Sequence, residues 1–241
     1  MEPTPLQIAA QRLAQADKVA VLTGAGISAE SGVPTFRGAD GLWEKYRPED
    51  LATPQAFARD PELVWRWYHW RRGLIAECFP NPAHQALVNM EKRVASFTLI
   101  TQNVDGLHRL AGSRNILEVH GNLWMVRCTA CGTLYEQREL DLPPRPACRE
   151  CGGFLRPHVV WFGESLDSRI LEAAWQAAAQ CQVMLVVGTS AVVQPAAGLA
   201  SVAKQAGAFV IEVNLEPTPN SREVDVSLMG KAGEIMPQLA Q

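Results

Sequence analysis

Three absences narrow the problem first. No stretch of the chain approaches the roughly 20 consecutive apolar residues that cross a bilayer. The most apolar segment, Gln182 to Gly188, is short and reads as a buried strand. The opening Met1-Glu2-Pro3-Thr4-Pro5-Leu6-Gln7 has an early acid, no basic residue and no apolar core, so a secretory signal is not expected and a cytoplasmic setting is. The net charge is only −3, which lacks the basic field that would hold nucleic acid or an anionic membrane. Charged residues make up 20% of the chain, slightly low for a protein in water but too many for a membrane span. The 47% of apolar residues among 241 can fill one sizeable domain, or one domain with small inserts. There is no internal repeat and no low-complexity tail.

Cysteine is also sparse, at six residues, but four of the six are paired. Cys78 and Cys181 stand alone in apolar contexts and read as inert buried thiols. Without an export signal, disulfides are not expected, which favours a metal for the rest. Cys128-x-x-Cys131 is followed, after sixteen intervening residues, by Cys148-x-x-Cys151, the spacing of a zinc ribbon. Four thiolates close a tetrahedral shell and leave no place for water, so one structural zinc is expected, not a catalytic one. Two alternatives are a redox dithiol, which does not need two such pairs, and a nucleic-acid-binding ribbon. A ribbon for phosphates would be basic, whereas here Arg138, Arg145 and Arg149 face Glu136, Glu139, Asp141 and Glu150.

Along the chain, Thr4 can cap a helix, Pro5 suits its first position and Gln7 can close a capping box. Strands are predicted at Lys18 to Thr23, Phe97 to Thr101, Ile116 to Val119, Val183 to Val187 and Phe209 to Val213. None alternates cleanly, as expected for parallel strands buried on both faces. Helices are predicted between several of them, notably Ser168 to Gln180 and Ala196 to Ala206. Strands alternating with helices predict an α/β fold with a doubly wound parallel sheet. Two segments break the rhythm: residues 37–90, helical and aromatic-rich, and residues 122–156, which hold the cysteines. Both read as insertions that build a smaller lobe, leaving residues 1–36, 91–121 and 157–241 as the core of a single domain.

Gly24-Ala25-Gly26-Ile27-Ser28-Ala29 follows the first strand and matches a dinucleotide-binding turn, whose glycines let the backbone approach a pyrophosphate. The usual acidic residue about 20 positions on has no strand around it here, since Glu44 lies in Gly41-Leu42-Trp43-Glu44-Lys45. A tight turn with no ligand explains this fragment equally well. The sequence continues to Gly32-Val33-Pro34-Thr35-Phe36-Arg37. Thr101-Gln102-Asn103-Val104-Asp105-Gly106-Leu107-His108, His120-Gly121 and Gly188-Thr189-Ser190 follow in order, with the cysteine pairs between the last two. In these motifs the chain resembles the sirtuin family over nearly its whole length, from Val19 to Ala232.

The resemblance implies a Rossmann-like core, a smaller lobe of helical insertion and zinc ribbon, and an enzyme. The implied reaction takes NAD and an acylated protein lysine and gives nicotinamide, free lysine and an O-acyl-ADP-ribose. The ribose hydroxyl that receives the acyl group needs a base near neutral pH, the range of histidine. Among five histidines, the family assigns that role to His120, at the carboxyl end of a strand. A lone histidine there is otherwise a hydrogen-bonded structural residue. His108 is expected to hold its loop, and His84 to cap or pack. By resemblance Asn103 and Asp105 line the nicotinamide pocket, Gln102 contacts ribose, and Gly24, Ala25, Gly26, Ser28, Phe36, Arg37 and Trp43 surround the cofactor. Phe36 would shield the reactive ribose carbon from water. Gly188, Thr189 and Ser190 would hold phosphate or ribose, Asn214, Leu215 and Glu216 the adenosine ribose, and Ala232 the adenine. Relatives that transfer ADP-ribose to proteins would use the same NAD site, and this activity stands as the alternative. No nucleic acid or membrane partner is expected, and a monomer is.

The segment Pro61 to Arg71 is predicted helical, which puts Tyr68 and Arg71 on one face. A guanidinium grips a carboxylate with two bonds, and a phenol donates a third. The same Tyr-x-x-Arg pair marks the class of the family that removes succinyl, malonyl and glutaryl groups, and Ala52 resembles the small residue that widens its pocket. The alternative makes Arg66, Arg71 and Arg72 a solvated face and Tyr68 a packing residue.

Overall fold

The computed structural model describes residues 2–36, 41–42 and 47–240. Arg37 and Trp43, and Glu44 with them, lie outside the described residues. The first helix, Pro5–Ala14, begins as its sequence dictates: the Gln7 amide donates to Thr4 Oγ1 and the Thr4 amide to Gln7 Oε1. The chain then lays down β1 (Lys18–Thr23), β2 (Ser96–Thr101), β3 (Ile116–Glu118), β4 (Gly121–Cys128), β5 (Leu134–Glu136), β6 (Leu155–Val159), β7 (Val183–Val187), β8 (Phe209–Asn214) and β9 (Val226–Met229). Six of these form one sheet in the order β3-β2-β1-β7-β8-β9, with every neighbouring pair parallel. The order runs outward in both directions from β1 and β7, which is the doubly wound arrangement.

Both faces of this sheet are covered, which explains why its strands show no alternation of polar and apolar residues. Val19, Val21, Leu99, Leu185 and Ile211 face one helical layer, while Ala20, Leu22, Ile100, Met184 and Val210 face the other. The second layer is built by the helices Ser168–Gln180 and Leu199–Gln205, close to the predicted spans. The first layer includes the helix Pro82–Arg93, whose Ala83, Ala86, Leu87 and Met90 join the core of the large sheet. Most of that helix falls within the 37–90 expected for the insertion, yet its apolar face packs with the core. The smaller lobe takes the helices Pro48–Leu51, Pro54–Arg59 and Pro61–Ala76 and an antiparallel sheet in the order β5-β4-β6. This sheet reaches past 122–156 at both ends, because β4 begins at Gly121 and β6 ends at Val159. No helix among the described residues is long and apolar enough to cross a membrane.

Candidate active site

The carboxyl ends of the parallel strands lie level, since Thr23 pairs with Thr101 and Val187, and Thr101 pairs with Glu118. The residues that leave these strands therefore meet in the crevice where the strand order reverses, the usual ligand position in such sheets. The turns after β1 and β7 touch through their backbones. Gly24 donates its amide to Val187 O at 3.0 Å and Gly26 to Gly188 O at 2.8 Å. A Cβ on Gly188 would lie 2.4 Å from Ile27 N, and one on Gly24 2.8 Å from Gly188 O. The glycines are thus required by this turn-on-turn contact before any ligand is considered. The amides of Ala25, Thr189 and Ser190 donate to no backbone carbonyl among the described residues, which leaves three N–H donors for an anionic group such as a pyrophosphate.

Amide side chains tie the adjoining loops together. Asn103 Nδ2 donates to Gly24 O and Ser28 Oγ, both at 3.1 Å. Gln102 Nε2 donates to Thr189 Oγ1 at 3.0 Å, and Asn214 Nδ2 to Thr189 O at 2.8 Å. The Asp105 carboxylate accepts the Leu107 amide at 2.8 Å, while burial raises its pKa. Gly106 turns at φ +78°, where a Cβ would lie 2.9 Å from the Trp124 ring. Leu215 and Glu216 are exposed beyond β8, and Ala232 is buried at the start of the helix Ala232–Leu239. The next amide in that helix, Gly233, donates to Glu30 Oε1 at 2.8 Å, which links it to the glycine turn.

His120 leaves β3 and precedes Gly121, which sits at φ +81° with no room for a side chain: a Cβ would lie 2.2 Å from His158 O. His120 Nδ1 lies 3.2 Å from Gln102 O. A carbonyl only accepts, so Nδ1 carries the proton and Nε2 keeps a free lone pair, the form a base requires. Burial lowers the pKa of this ring, with the Gln102 carbonyl opposing the shift, so the neutral form prevails near pH 7. His84 and His108 serve the interior. His84 closes a capping box with Asn81 and burial lowers its pKa to about 4. His108 Nε2 lies 3.0 Å from Thr23 Oγ1, and burial, followed by the neighbouring His84, lowers its pKa well below the ordinary histidine value.

The acyl-recognition candidates gather in the smaller lobe. Tyr68 and Arg71 are both buried, at 3% and 4% exposure, and Arg72 is fully buried. The solvated-face alternative therefore holds only for Arg66, which is exposed. The two buried arginines differ in one respect. Arg72 donates through Nε and Nη2 to Leu123 O at 3.0 and 2.8 Å, a structural task. Arg71 stacks its guanidinium 4.5 Å from the Phe36 ring and 5.1 Å from the Trp67 ring, and makes no hydrogen bond or ion pair with any described residue. Burial lowers its pKa to about 10, opposed by Tyr68 and Asp105, so it remains a cation at neutral pH. Ala52 is buried in the same cluster and its carbonyl accepts the Phe162 amide at 2.9 Å.

The four paired cysteines converge with all sulfurs within 4.8 Å of one another. The Cys128–Cys151 and Cys131–Cys148 separations of 3.5 and 3.8 Å are too long for a disulfide and near the edge, about 3.8 Å, of a tetrahedron with zinc–sulfur bonds of about 2.3 Å. The amides of Ala130 and Cys131 donate to Cys128 Sγ at 3.4 Å, and that of Glu150 to Cys148 Sγ. Such bonds stabilise thiolates, so this donor set fits a zinc ion.

Sequence patterns did not reveal Trp161, Arg156 or Glu164. Trp161 Nε1 donates to the Tyr68 hydroxyl at 2.9 Å, and Arg156 and Glu164 form a partly buried ion pair beside it. The available signal was the run Trp161-Phe162-Gly163-Glu164 at a strand exit, with Gly163 at φ +86°.

The model of the Sir2 family matches residues 24–195. The NAD-dependent protein deacylase 2 of Pyrobaculum aerophilum is 53% identical over 235 residues, covering 96% of this chain and 93% of that protein. A solved complex of a Sir2 homologue with NAD superposes with a TM-score of 0.90 at 51% identity, covering 96% of this chain and 91% of that one. A complex of a Sir2 homologue mutant with ADP-ribose gives 0.94 at 50%, covering 97% and 94%. From glycine turn to cysteine cluster, the chain belongs to the Sir2 family, the sirtuins.

Proposed function

We propose that the chain is an NAD-dependent deacylase of protein lysines that prefers acyl groups ending in a carboxylate, succinyl and malonyl, and also accepts acetyl. The observation that carries the preference is Arg71, a buried cation with no hydrogen bond or ion pair to any described residue and only the longer-range charge of Asp105 opposite it, on the same helical face as Tyr68. A buried charge without a paired partner is costly, and a ligand carboxylate relieves that cost. Ala52 leaves room for the longer acyl chain. NAD supplies the ADP-ribose acceptor for the acyl group and loses nicotinamide. The amides of Ala25, Thr189 and Ser190 hold its phosphates, Asn103 and Asp105 line the nicotinamide pocket, Asn214, Leu215 and Glu216 meet the adenosine ribose, and Ala232 meets the adenine. Gln102 orients His120 through its carbonyl, and His120 Nε2 takes the proton from the ribose hydroxyl. Phe36, stacked under Arg71, shields the reactive ribose carbon from water. Protein ADP-ribosyl transfer is the less favoured activity, because it gives Arg71 and Tyr68 no task.

Arg71→Met keeps the stem and removes the charge. A hydrogen-bonded charge of this kind contributes about 1.5–3 kcal/mol. The variant is expected to lose roughly tenfold to a hundredfold in kcat/KM for succinyl-lysine peptide relative to acetyl-lysine peptide. Product masses should show free lysine and the matching O-acyl-ADP-ribose. Equal losses for the two peptides would mean that Arg71 supports the fold and does not read the acyl group.

A further inference from the structure

We infer that Trp161 is a positioning residue for acyl selectivity: its indole N–H donates to the Tyr68 hydroxyl and so commits the phenol's own proton to the acyl carboxylate. This role rests on the proposed reading of Arg71 and extends it to a residue 93 positions away in sequence.

A phenol oxygen has one proton to give and lone pairs to receive. Trp161 Nε1 lies 2.9 Å from the Tyr68 oxygen, and an indole nitrogen only donates. That contact occupies a lone pair, and it excludes any conformer in which Tyr68 donates back to Trp161. The Tyr68 proton reaches no acceptor among the described residues, although the ring is buried. An incoming carboxylate satisfies it together with the Arg71 guanidinium. Receiving the indole N–H also polarises the phenol O–H and makes it a better donor. The phenol keeps its proton throughout the working range, since burial, partly opposed by Arg71, raises its pKa to about 12.

The indole is fixed from several sides. The Arg156 guanidinium carbon lies 3.5 Å from the Trp161 ring centroid, and the Phe57 ring 5.2 Å away on a tilted plane. Arg156 is held in turn by the Glu164 carboxylate at 2.5 and 2.8 Å and by Val159 O at 2.9 Å. Glu164 Oε2 also accepts the Trp161 backbone amide at 2.9 Å, closing the loop on itself. A partly buried ion pair is weak evidence for stability. Here it clamps one ring in the single orientation that presents its N–H to Tyr68.

The test is a double-mutant cycle on the ratio of kcat/KM for succinyl-lysine and acetyl-lysine peptides. Trp161→Phe keeps an aromatic ring and removes the donor. The ratio should fall about threefold to tenfold, through KM for the succinyl peptide, as for the loss of one hydrogen bond. Tyr68→Phe should lower it as well, and adding Trp161→Phe to Tyr68→Phe should change it no further. An equal fall in both backgrounds would show that Trp161 acts by packing alone and would overturn the role. An unchanged ratio in the single variant would do the same. Should Trp161→Phe fail to fold, benzothienylalanine placed at 161 exchanges the N–H for sulfur in the same shape and must give the same fall. Arg71→Met is measured alongside. A ratio that Arg71→Met leaves untouched refutes the acidic-acyl reading itself, whereas a ratio lowered by Arg71→Met and not by Trp161→Phe refutes only the role of Trp161.

Discussion

His120→Ala is expected to slow deacylation by about 10²–10⁴-fold, the usual contribution of a general base, while the protein stays folded. The side chain is only half-buried, and its one hydrogen bond among the described residues is the contact of Nδ1 with Gln102 O. Its loss leaves one carbonyl to be met by water, a small stability cost. The same assignment fixes the pH dependence. The base is the neutral ring, and burial lowers its pKa below the ordinary 6.5. A lowered pKa keeps the ring neutral to lower pH, so the acid limb of the rate profile should fall below pH 6.5, and the residual rate of His120→Ala should lack that limb. Steady-state rates across pH, with melting curves for both proteins, check this. A folded His120→Ala protein with full activity would remove His120 from the chemistry.

The second large effect is expected at the cysteine cluster. Cys128 and Cys148 are buried, whereas Cys131 and Cys151 are exposed. Cys128→Ser or Cys148→Ser should leave the three-stranded sheet without its centre and cause unfolding or aggregation. A structural zinc contributes about 10–16 kcal/mol to small zinc-finger folds, as much as the roughly 5–15 kcal/mol that holds a typical domain together. Activity should be lost with the sheet, because β4 starts at Gly121 beside His120 and its Leu123 carbonyl holds Arg72. Metal analysis is expected to find one zinc per chain, and a strong chelator to lower the melting temperature. Active protein free of zinc, or a Cys128→Ser/Cys148→Ser variant as stable as the parent, would contradict a structural metal.

Local features were the most legible in the sequence. The Thr4–Gln7 capping box, the buried strands, the glycine turn and the cysteine spacing each depend on neighbours a few residues apart. The glycines were legible as a motif but not in their physical reason. Gly24, Gly26 and Gly188 are needed because two turns distant in sequence press together. The strand β9 escaped notice because Val226–Met229 is only four residues long at the edge of the sheet. The small sheet escaped too, since β5 has three residues and β4 takes its register from β6 across the cysteine loop. Helical spacing put Tyr68 and Arg71 on one face, but it could not separate Arg71 from Arg72. That distinction comes from Leu123 O, a backbone atom 51 residues away that accepts two N–H groups of one guanidinium and none of the other. Trp161 was hidden for the same reason, because its task lies in a bond to a residue in another element.

Central to the proposed function is that Arg71, buried with no hydrogen bond or ion pair among the described residues, makes this chain favour acidic acyl groups. It is tested most directly by measuring kcat/KM of the unmodified protein on one peptide carrying acetyl-, malonyl- or succinyl-lysine, with NAD saturating. The account predicts at least a roughly tenfold advantage for the two acidic groups over acetyl. An acetyl peptide processed as well as, or better than, the succinyl and malonyl peptides would contradict it.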